Sequence, residues 1–223
     1  MKKKPSLLPT HSGSFPKRIL LFISGLFILS FGIVLMIQAQ LGVNPWDVLH
    51  IGLSNRTGLS IGVWVQLVGV TIIILTSILA KQWPQIGMII NILCIGFFIN
   101  ILLQLNIIPT VQHFLLQLIV LLVGIMCMGF GIGMYVASNL GPGPRDWLTL
   151  VLVKKTGWSI AKIRTIIEGT ALILGWISGG PIFIGTFLSV FLIGPFMQLS
   201  LQFWLKQLLP PPPQQPYQKQ TLN

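Results

Sequence analysis

The chain has only three carboxylates in 223 residues, and these have the clearest potential for chemistry. Asp47 and Asp146 each stand two residues after a proline, and Glu168 stands apart from both. In a chain of which 53 % is hydrophobic and only 8 % is charged, an acid within or beside an apolar stretch is costly to bury and is a functional candidate by default. The three acids are therefore the first candidates for contact with a substrate or an ion.

The two aspartates also have a structural interpretation. Proline suits the first position of a helix, and an aspartate two residues later meets the free amides and the positive end of the helix dipole. Asn44 is a good N-cap for the first helix, Gly143 is a weaker one for the second, and His50 is interpreted as a polar interface residue. Two interpretations stay open: the aspartates start short, partly inserted helices, or they also bind a cation or the amine of a substrate.

Arginines accompany two of the three acids. Arg145 directly precedes Asp146 and is a candidate partner for it, whereas Trp46 occupies the equivalent position before Asp47. Arg164 lies four residues before Glu168, on the same face of a predicted helix, where an ion pair is favoured. The alternative for Glu168 is a carboxylate that faces a substrate or changes its protonation state, since burial favours the neutral acid.

Five side-chain amides lie within apolar stretches. They are Asn91, Asn100, Gln104, Gln198 and Gln202. Such amides commonly join transmembrane helices through side-chain hydrogen bonds. Lining a hydrated path is the alternative interpretation.

The sequence contains no enzymatic constellation. A metal site needs a cluster of histidine, cysteine or carboxylate ligands, and nucleophilic catalysis needs a nucleophile beside a base. Neither spacing occurs in the chain. We therefore expect no metal, no cofactor and no enzymatic activity.

The elements that position these residues are predicted to be transmembrane helices. Soluble domains carry roughly a quarter charged residues, and a mean hydropathy of +0.86 with 8 % charge excludes one here. Apolar stretches of about 20 residues are typical of spanning helices, because every backbone amide in lipid needs an internal partner. Five uncharged stretches qualify, and a sixth carries three charges near its start: 19–39, 61–80, 86–104, 114–137, 182–205 and 160–178. The segments that begin at Pro45 and Pro144 are too short to span and are predicted to be re-entrant or interfacial helices.

The distribution of basic residues predicts the orientation. With six crossings and a cytoplasmic N-terminus, 13 Lys and Arg residues face the cytoplasm and only Arg56 faces outside, as the positive-inside rule requires. Eight crossings would give 12 against 2, so charge alone does not separate the two topologies. We expect both termini in the cytoplasm and the net charge of +11 to favour anionic lipid. Binding of nucleic acid needs a clustered basic surface with aromatic platforms. The sequence contains no such segment, so we expect no nucleic-acid partner.

An internal repeat organises the chain. Residues 41–62 and 140–161 share ten of 22 positions at an offset of 99. The predicted organisation is a basic cytoplasmic tail (1–18), a first membrane repeat (19–106), an external linker (107–113), a second membrane repeat (114–205) and a Pro-rich cytoplasmic tail (206–223). Three spans per repeat is an odd number, so the second repeat enters the membrane upside down. Inverted repeats are common among secondary transporters.

The duplicated Leu-Gly-x-x-Pro-x-Asp-x-Leu segment, ending in Thr-Gly-x-Ser-Ile, resembles the YczE/YitT-type multi-pass membrane proteins of bacteria. This resemblance implies a duplicated helical fold in the bacterial cytoplasmic membrane. Two functions stay open. The first is a small-solute transporter or permease that works between the two Pro-x-Asp segments. The second is a non-transporting accessory or regulatory protein that acts on another complex through its basic cytoplasmic surface and tail. Besides lipid, the partners considered are a second copy of the chain and another membrane protein.

Overall fold

The computed structural model describes residues 14–208, and within that range the regular structure is entirely α-helical. The predicted tail segments 1–13 and 209–223 lie outside the described residues. The eight helices are α1 (Phe15–Ala39), α2 (Pro45–Thr57), α3 (Ile61–Ala80), α4 (Ile86–Gln104), α5 (Phe114–Ala137), α6 (Pro144–Thr156), α7 (Ile160–Ile177) and α8 (Ile184–Leu208).

Five of these helices are long and apolar enough to cross a membrane: α1, α3, α4, α5 and α8. The helix α7 falls outside this set because its 18 residues include Lys162, Arg164 and Glu168. Large apolar side chains are exposed along all five candidate spans, while Ser30, Thr76 and other polar residues are buried. That distribution suits a hydrocarbon solvent, so the chain is a polytopic membrane protein whose described residues form only α-helices as regular structure.

Local sequence explains where the short helices and their successors begin and end. The Asn44 side chain accepts a hydrogen bond from the Trp46 amide at 2.9 Å and caps α2, and Pro45 follows at a position where a missing N–H costs nothing. Both α2 and α6 have 13 residues, and each ends at a glycine in the left-handed region, with φ of 75° at Gly58 and 73° at Gly157. At about 1.5 Å per residue each helix is about 20 Å long, short of a bilayer core of about 30 Å.

The helices α1 and α5 form the centre of the molecule and pack antiparallel through paired glycines. A Cβ at Gly32 would lie 2.6 Å from the Gly124 carbonyl oxygen, and a Cβ at Gly25 would lie 2.9 Å from the Gly131 carbonyl oxygen. The order of the two pairs is reversed along the two helices, so α1 and α5 run in opposite directions. Small residues allow this close approach of two backbones, as in many membrane helix pairs.

Each short helix packs against a long helix from the other half of the chain. The helix α2 lies on α7, and α6 lies on α3. At the first of these contacts a Cβ at Gly175 would lie 2.5 Å from the Leu49 amide nitrogen. Because each short helix packs on a helix of the other half, the N-termini of α2 and α6 lie toward the centre of the bundle.

The helical segments extend beyond two of the predicted boundaries. The helix α1 begins at Phe15, within the predicted basic tail, and α8 continues to Leu208, within the predicted Pro-rich tail. Arg18 explains part of the first extension, because its side chain donates hydrogen bonds to the Ser138 carbonyl at 2.8 Å and the Asn139 carbonyl at 2.7 Å. These bonds satisfy backbone acceptors beyond the end of α5.

Candidate functional site

A cavity of about 420 Å³ lies where the N-termini of α2 and α6 meet. All three acids of the chain line it, together with Arg145 and Arg164. Its walls come from α1, α3, α4, α5, α7 and α8 and are largely aliphatic, with Leu29, Ile33, Val65, Val68, Ile72, Ile92, Ile95, Met128, Ile132, Ile167, Val190, Ile193 and Met197. The volume falls within the range of about 300–1,000 Å³ that is usual for small-molecule sites.

The α2 side of the cavity holds a buried hydrogen-bonded group of three residues. Asp47 has no exposed surface, and His50 is 1 % exposed. The Asp47 carboxylate accepts a hydrogen bond from the Asn44 side-chain amide and lies 3.4 Å from Nδ1 of His50. The interpretation of His50 as an interface residue is wrong, because α2 turns this side chain into the protein interior. The sequence signal for the contact is the spacing of three residues between Asp47 and His50, which places both side chains on one face of a helix.

The α6 side is more open and more highly charged. The Arg164 guanidinium lies 3.1 Å from Oε1 of Glu168 and 4.0 Å from Oδ1 of Asp146. The Tyr135 hydroxyl donates to Oδ2 of Asp146 at 3.3 Å. The Asp146 and Glu168 side chains are 36 % and 29 % exposed, so both carboxylates retain free hydrogen-bonding capacity. The sequence offered no signal for Tyr135, which reaches this site from α5.

Arg145 does not pair with Asp146, contrary to the sequence prediction. Its guanidinium lies over the indole of Trp46, with Cζ 4.4 Å from the ring centroid. Adjacent residues on a helix point about 100° apart, so Asp146 is directed toward Arg164 while Arg145 is directed toward α2. Within residues 14–208, Arg145 has no carboxylate oxygen within 4.0 Å and its side chain donates no hydrogen bond.

The five candidate amides fall into different environments. Asn91 lines the cavity and is 3 % exposed, and its side-chain nitrogen has no hydrogen-bond partner among the described residues. Asn100 joins α4 to α3, since its side-chain oxygen accepts from the Gly62 amide at 3.0 Å. The other three are exposed and lie away from the cavity: Gln104, Gln198 and Gln202.

The cavity is closed on one side and open on the opposite side. Between α3 and α4, a Cβ at Gly96 would lie 2.4 Å from the Gly62 carbonyl oxygen. The helices α7 and α8 do not pack along each other in the described chain, and a Cβ at Gly194 would meet no neighbouring atom there within 4 Å. Ala161 and Gly194 both line the cavity and are exposed, so the cavity opens between α7 and α8.

This arrangement can bind both signs of charge. It offers carboxylate oxygens at Asp146 and Glu168, N–H donors at Arg145 and Asn91, and an aliphatic wall between them. Within the described part of the chain, no group of three or more His, Cys, Asp or Glu residues is arranged to hold a metal ion.

The fold and the site define a multi-pass helical membrane protein with a charged internal cavity. The chain belongs to the family described as "Family of unknown function (DUF6198)", which matches residues 16–202. Together with the similarity to the YczE protein given in the next paragraph, this match confirms the resemblance to YczE-type membrane proteins.

Curated relatives match over most of their length. The chain is similar to the "Uncharacterized membrane protein YczE" of Bacillus subtilis, with 38 % identity over 81 % of this chain and 83 % of the relative. It is also similar to the "Uncharacterized protein YyaS" of the same organism, with 34 % identity over 79 % and 89 %. An "Uncharacterized protein" of Haemophilus influenzae is 30 % identical over 90 % and 94 %. No solved structure matches the chain.

Proposed function

We propose that the protein is a small-solute transporter of the bacterial cytoplasmic membrane and that the central cavity is its substrate site. The observation that carries the proposal is the lining of one cavity by all three acids of the chain and by Arg145 and Arg164. Charged groups in a membrane interior are expensive and are typical of substrate and ion pathways. A charged cavity favours transport over a non-transporting accessory role, which a sealed apolar interior would favour.

The inverted repeat is part of this proposal. Adding the offset of 99 to Gly25 gives Gly124, and adding it to Gly32 gives Gly131. The contact between Gly25 and Gly131 therefore recurs as the contact between Gly124 and Gly32, and this reciprocity supports the repeat. Reciprocal contacts of this kind are the mark of a two-fold axis, and between antiparallel helices such an axis is perpendicular to both. If α1 spans the membrane, the axis therefore lies in the membrane plane.

The same arrangement supports a topology of six crossings. The Val111 amide, just before α5, donates to the Gln38 carbonyl near the end of α1 at 3.5 Å. The side chain of Arg56, at the end of α2, donates to the carbonyls of Ile177 and Ser178 at the end of α7. These contacts support a re-entrant α2, which begins inside the bundle and returns to the end where α1 stops. We assign the crossings to α1, α3, α4, α5, α7 and α8.

The asymmetry of the two halves supports alternating access. Transporters with inverted repeats expose their site by moving one bundle against another. Here the α3–α4 contact is closed at Gly62 and Gly96, whereas the equivalent α7–α8 contact at Ala161 and Gly194 is open. Pro195 follows Gly194 within α8 and removes one backbone hydrogen bond there. Closure of α7 on α8 with opening of α3 from α4 would expose the cavity to the other side.

Glu168 and Arg164 are the proposed coupling pair. They face the open side of the cavity, and their equivalents 99 residues earlier are Gly69 and Val65. The pair therefore belongs to one half only, and it is the natural place for binding and release to differ between the two sides. Lys154, Lys155 and Lys162 are exposed, and we assign them to the cytoplasmic face, where they would meet anionic lipid.

Uptake into proteoliposomes tests the proposal. The purified chain is reconstituted and supplied with a broad panel of amino acids, amines, organic acids, sugars and inorganic ions. We expect uptake of at least one class, strongly reduced by Asp47→Asn and by Asp146→Asn. Lys155→Gln, on the exposed end of α6, is the matched control and should retain uptake. Absence of uptake across the panel by folded protein would contradict the transport proposal and favour the accessory role.

A further inference from the structure

We infer that the cavity binds a small zwitterion of the α-amino acid class with an apolar side chain. This inference rests on the proposed function and specifies the substrate of the same site. It rests on two groups of side chains in the cavity that have opposite polarity and hydrogen-bonding capacity left for a ligand.

The unused donors are Arg145 and Asn91. The Arg145 guanidinium is held over Trp46 at 4.4 Å and, within residues 14–208, donates to no oxygen. The Asn91 side-chain nitrogen is buried and finds no acceptor in the same range. A buried donor without a partner costs about 1–3 kcal/mol, so Asn91 favours a ligand that brings an acceptor. Arg145 is half-buried and, among the described residues, has free N–H groups for the same ligand. Because a guanidinium matches a carboxylate in geometry and charge, the ligand group is assigned as a carboxylate.

The unused acceptors are the carboxylates of Asp146 and Glu168. Both share Arg164, which leaves one negative charge on this group of three. Both are also partly exposed to the cavity, so each has lone pairs that Arg164 does not occupy. A ligand ammonium placed here would replace lost water with charged hydrogen bonds.

The ligand class follows from where the available charges lie in the cavity rather than from their sum. The cavity holds three carboxylates and two guanidinium groups. A dianion would be repelled by Asp146 and Glu168 and would offer these carboxylates no donor. A simple amine would offer Arg145 and Asn91 no acceptor. A zwitterion satisfies both groups and adds no net charge to a low-dielectric interior. The aliphatic walls around Ile33, Ile95 and Ile132 suit an apolar side chain.

Thermal stabilisation of the full chain in lipid nanodiscs tests the inference, since a ligand that binds only the folded state raises the unfolding temperature. Each of the twenty α-amino acids is the probe. The most stabilising one is then compared with its decarboxylated amine and with the acid that lacks the amino group. We expect an apolar amino acid to stabilise the protein and each analogue to bind roughly 10- to 100-fold more weakly, the range for loss of a charged hydrogen bond.

Two variants separate ligand binding from structure. Arg145→Gln should weaken binding of the amino acid by a similar roughly 10- to 100-fold and should remove the preference over the decarboxylated amine. Asn91→Leu should weaken binding yet leave the ligand-free protein equally or more stable, because it deletes an unsatisfied polar group of similar size. Lys155→Gln is the control with an unchanged affinity.

Each contrary outcome overturns the inference. Equal binding of the amine would make the cavity a cation site, and equal binding of the acid would make it an anion site. Absence of stabilisation by any amino acid would also overturn it. In that case uptake of another solute, sensitive to Asp47→Asn, would leave the transport proposal intact, whereas absence of all uptake would contradict both.

Discussion

The guanidinium of Arg145 lies 4.4 Å from the ring centroid of Trp46, and the two residues occupy positions 99 apart in the chain. They join the first turns of α2 and α6 at the cavity. Their chemical difference makes the contact attractive, because a cation over an indole face contributes about 0.5–2 kcal/mol. Two arginines or two tryptophans at these positions would lack this complementarity.

Trp46→Leu is expected to weaken substrate binding because it removes the surface that positions Arg145. The half-saturation concentration for uptake should rise roughly 2- to 30-fold, which corresponds to the cation–π contribution. Trp46→Phe retains an aromatic face and should lie between Leu and the original residue. Equal half-saturation for all three proteins would show that the indole does not position Arg145.

Gly96→Ala and Gly194→Ala form a matched pair across the two halves. The first adds a Cβ 2.4 Å from the Gly62 carbonyl oxygen, whereas the second meets no neighbouring atom within 4 Å among residues 14–208. Gly96→Ala should therefore cost about 1–3 kcal/mol through overpacking and lower the unfolding temperature.

Gly194→Ala should leave the unfolding temperature unchanged or raised, since alanine favours a helix over glycine. It should nevertheless slow uptake, because closure of α7 on α8 needs the small residue. Thermal unfolding and initial uptake rates measure the two effects. Full uptake by Gly194→Ala would contradict closure at this position.

Glu168→Gln is expected to abolish uptake without unfolding the protein. The substitution keeps the side-chain shape but removes the charge that lies 3.1 Å from Arg164. Glu168→Asp, which retains the charge on a shorter side chain, should keep part of the activity. Uptake by Glu168→Gln at the rate of the original protein would remove Glu168 from the mechanism.

Asn44→Ala should destabilise the protein more than loss of an exposed cap. Asn44 caps α2 and also donates to the fully buried Asp47 carboxylate, so its removal leaves two buried groups short of partners, at a cost of about 2–3 kcal/mol. Ser60→Ala is the control, because Ser60 caps α3 at an exposed position and its loss should cost about 1 kcal/mol. Thermal unfolding of both variants measures the difference, and equal losses would contradict the role of burial.

The sequence predicts the helices well because the strongest signals are local. Uncharged apolar runs bounded by polar residues predict α3, α4 and α5 with the bounds that the structure has. The Asn44–Pro45 junction predicts the start of α2, since caps depend on two or three neighbouring residues. The span at α7 is the weakest of the six predictions because it contains Lys162, Arg164 and Glu168. For the same reason α7 is not among the five helices that are long and apolar enough to cross a membrane.

The site could be predicted only in part. The types and positions of the acids indicate candidates, and the structure brings Asp47, Asp146 and Glu168 to one cavity. Sequence proximity misassigned Arg145, because helix geometry separates neighbouring side chains. The contribution of Tyr135 from α5 and the gap between α7 and α8 depend on tertiary packing, for which a single sequence carries no local signal.

Sidedness of Asn55 and Lys154 is the most direct test of the account. These two exposed residues stand at equivalent places near the ends of α2 and α6, 99 positions apart. Each is replaced by cysteine in a chain that lacks Cys94 and Cys127, and an impermeant maleimide is applied to intact cells and to inside-out vesicles. Inverted halves require Asn55→Cys to react in cells and Lys154→Cys to react only in inside-out vesicles. Reaction of both residues from the same side would contradict the inversion, and with it the alternating opening of the cavity.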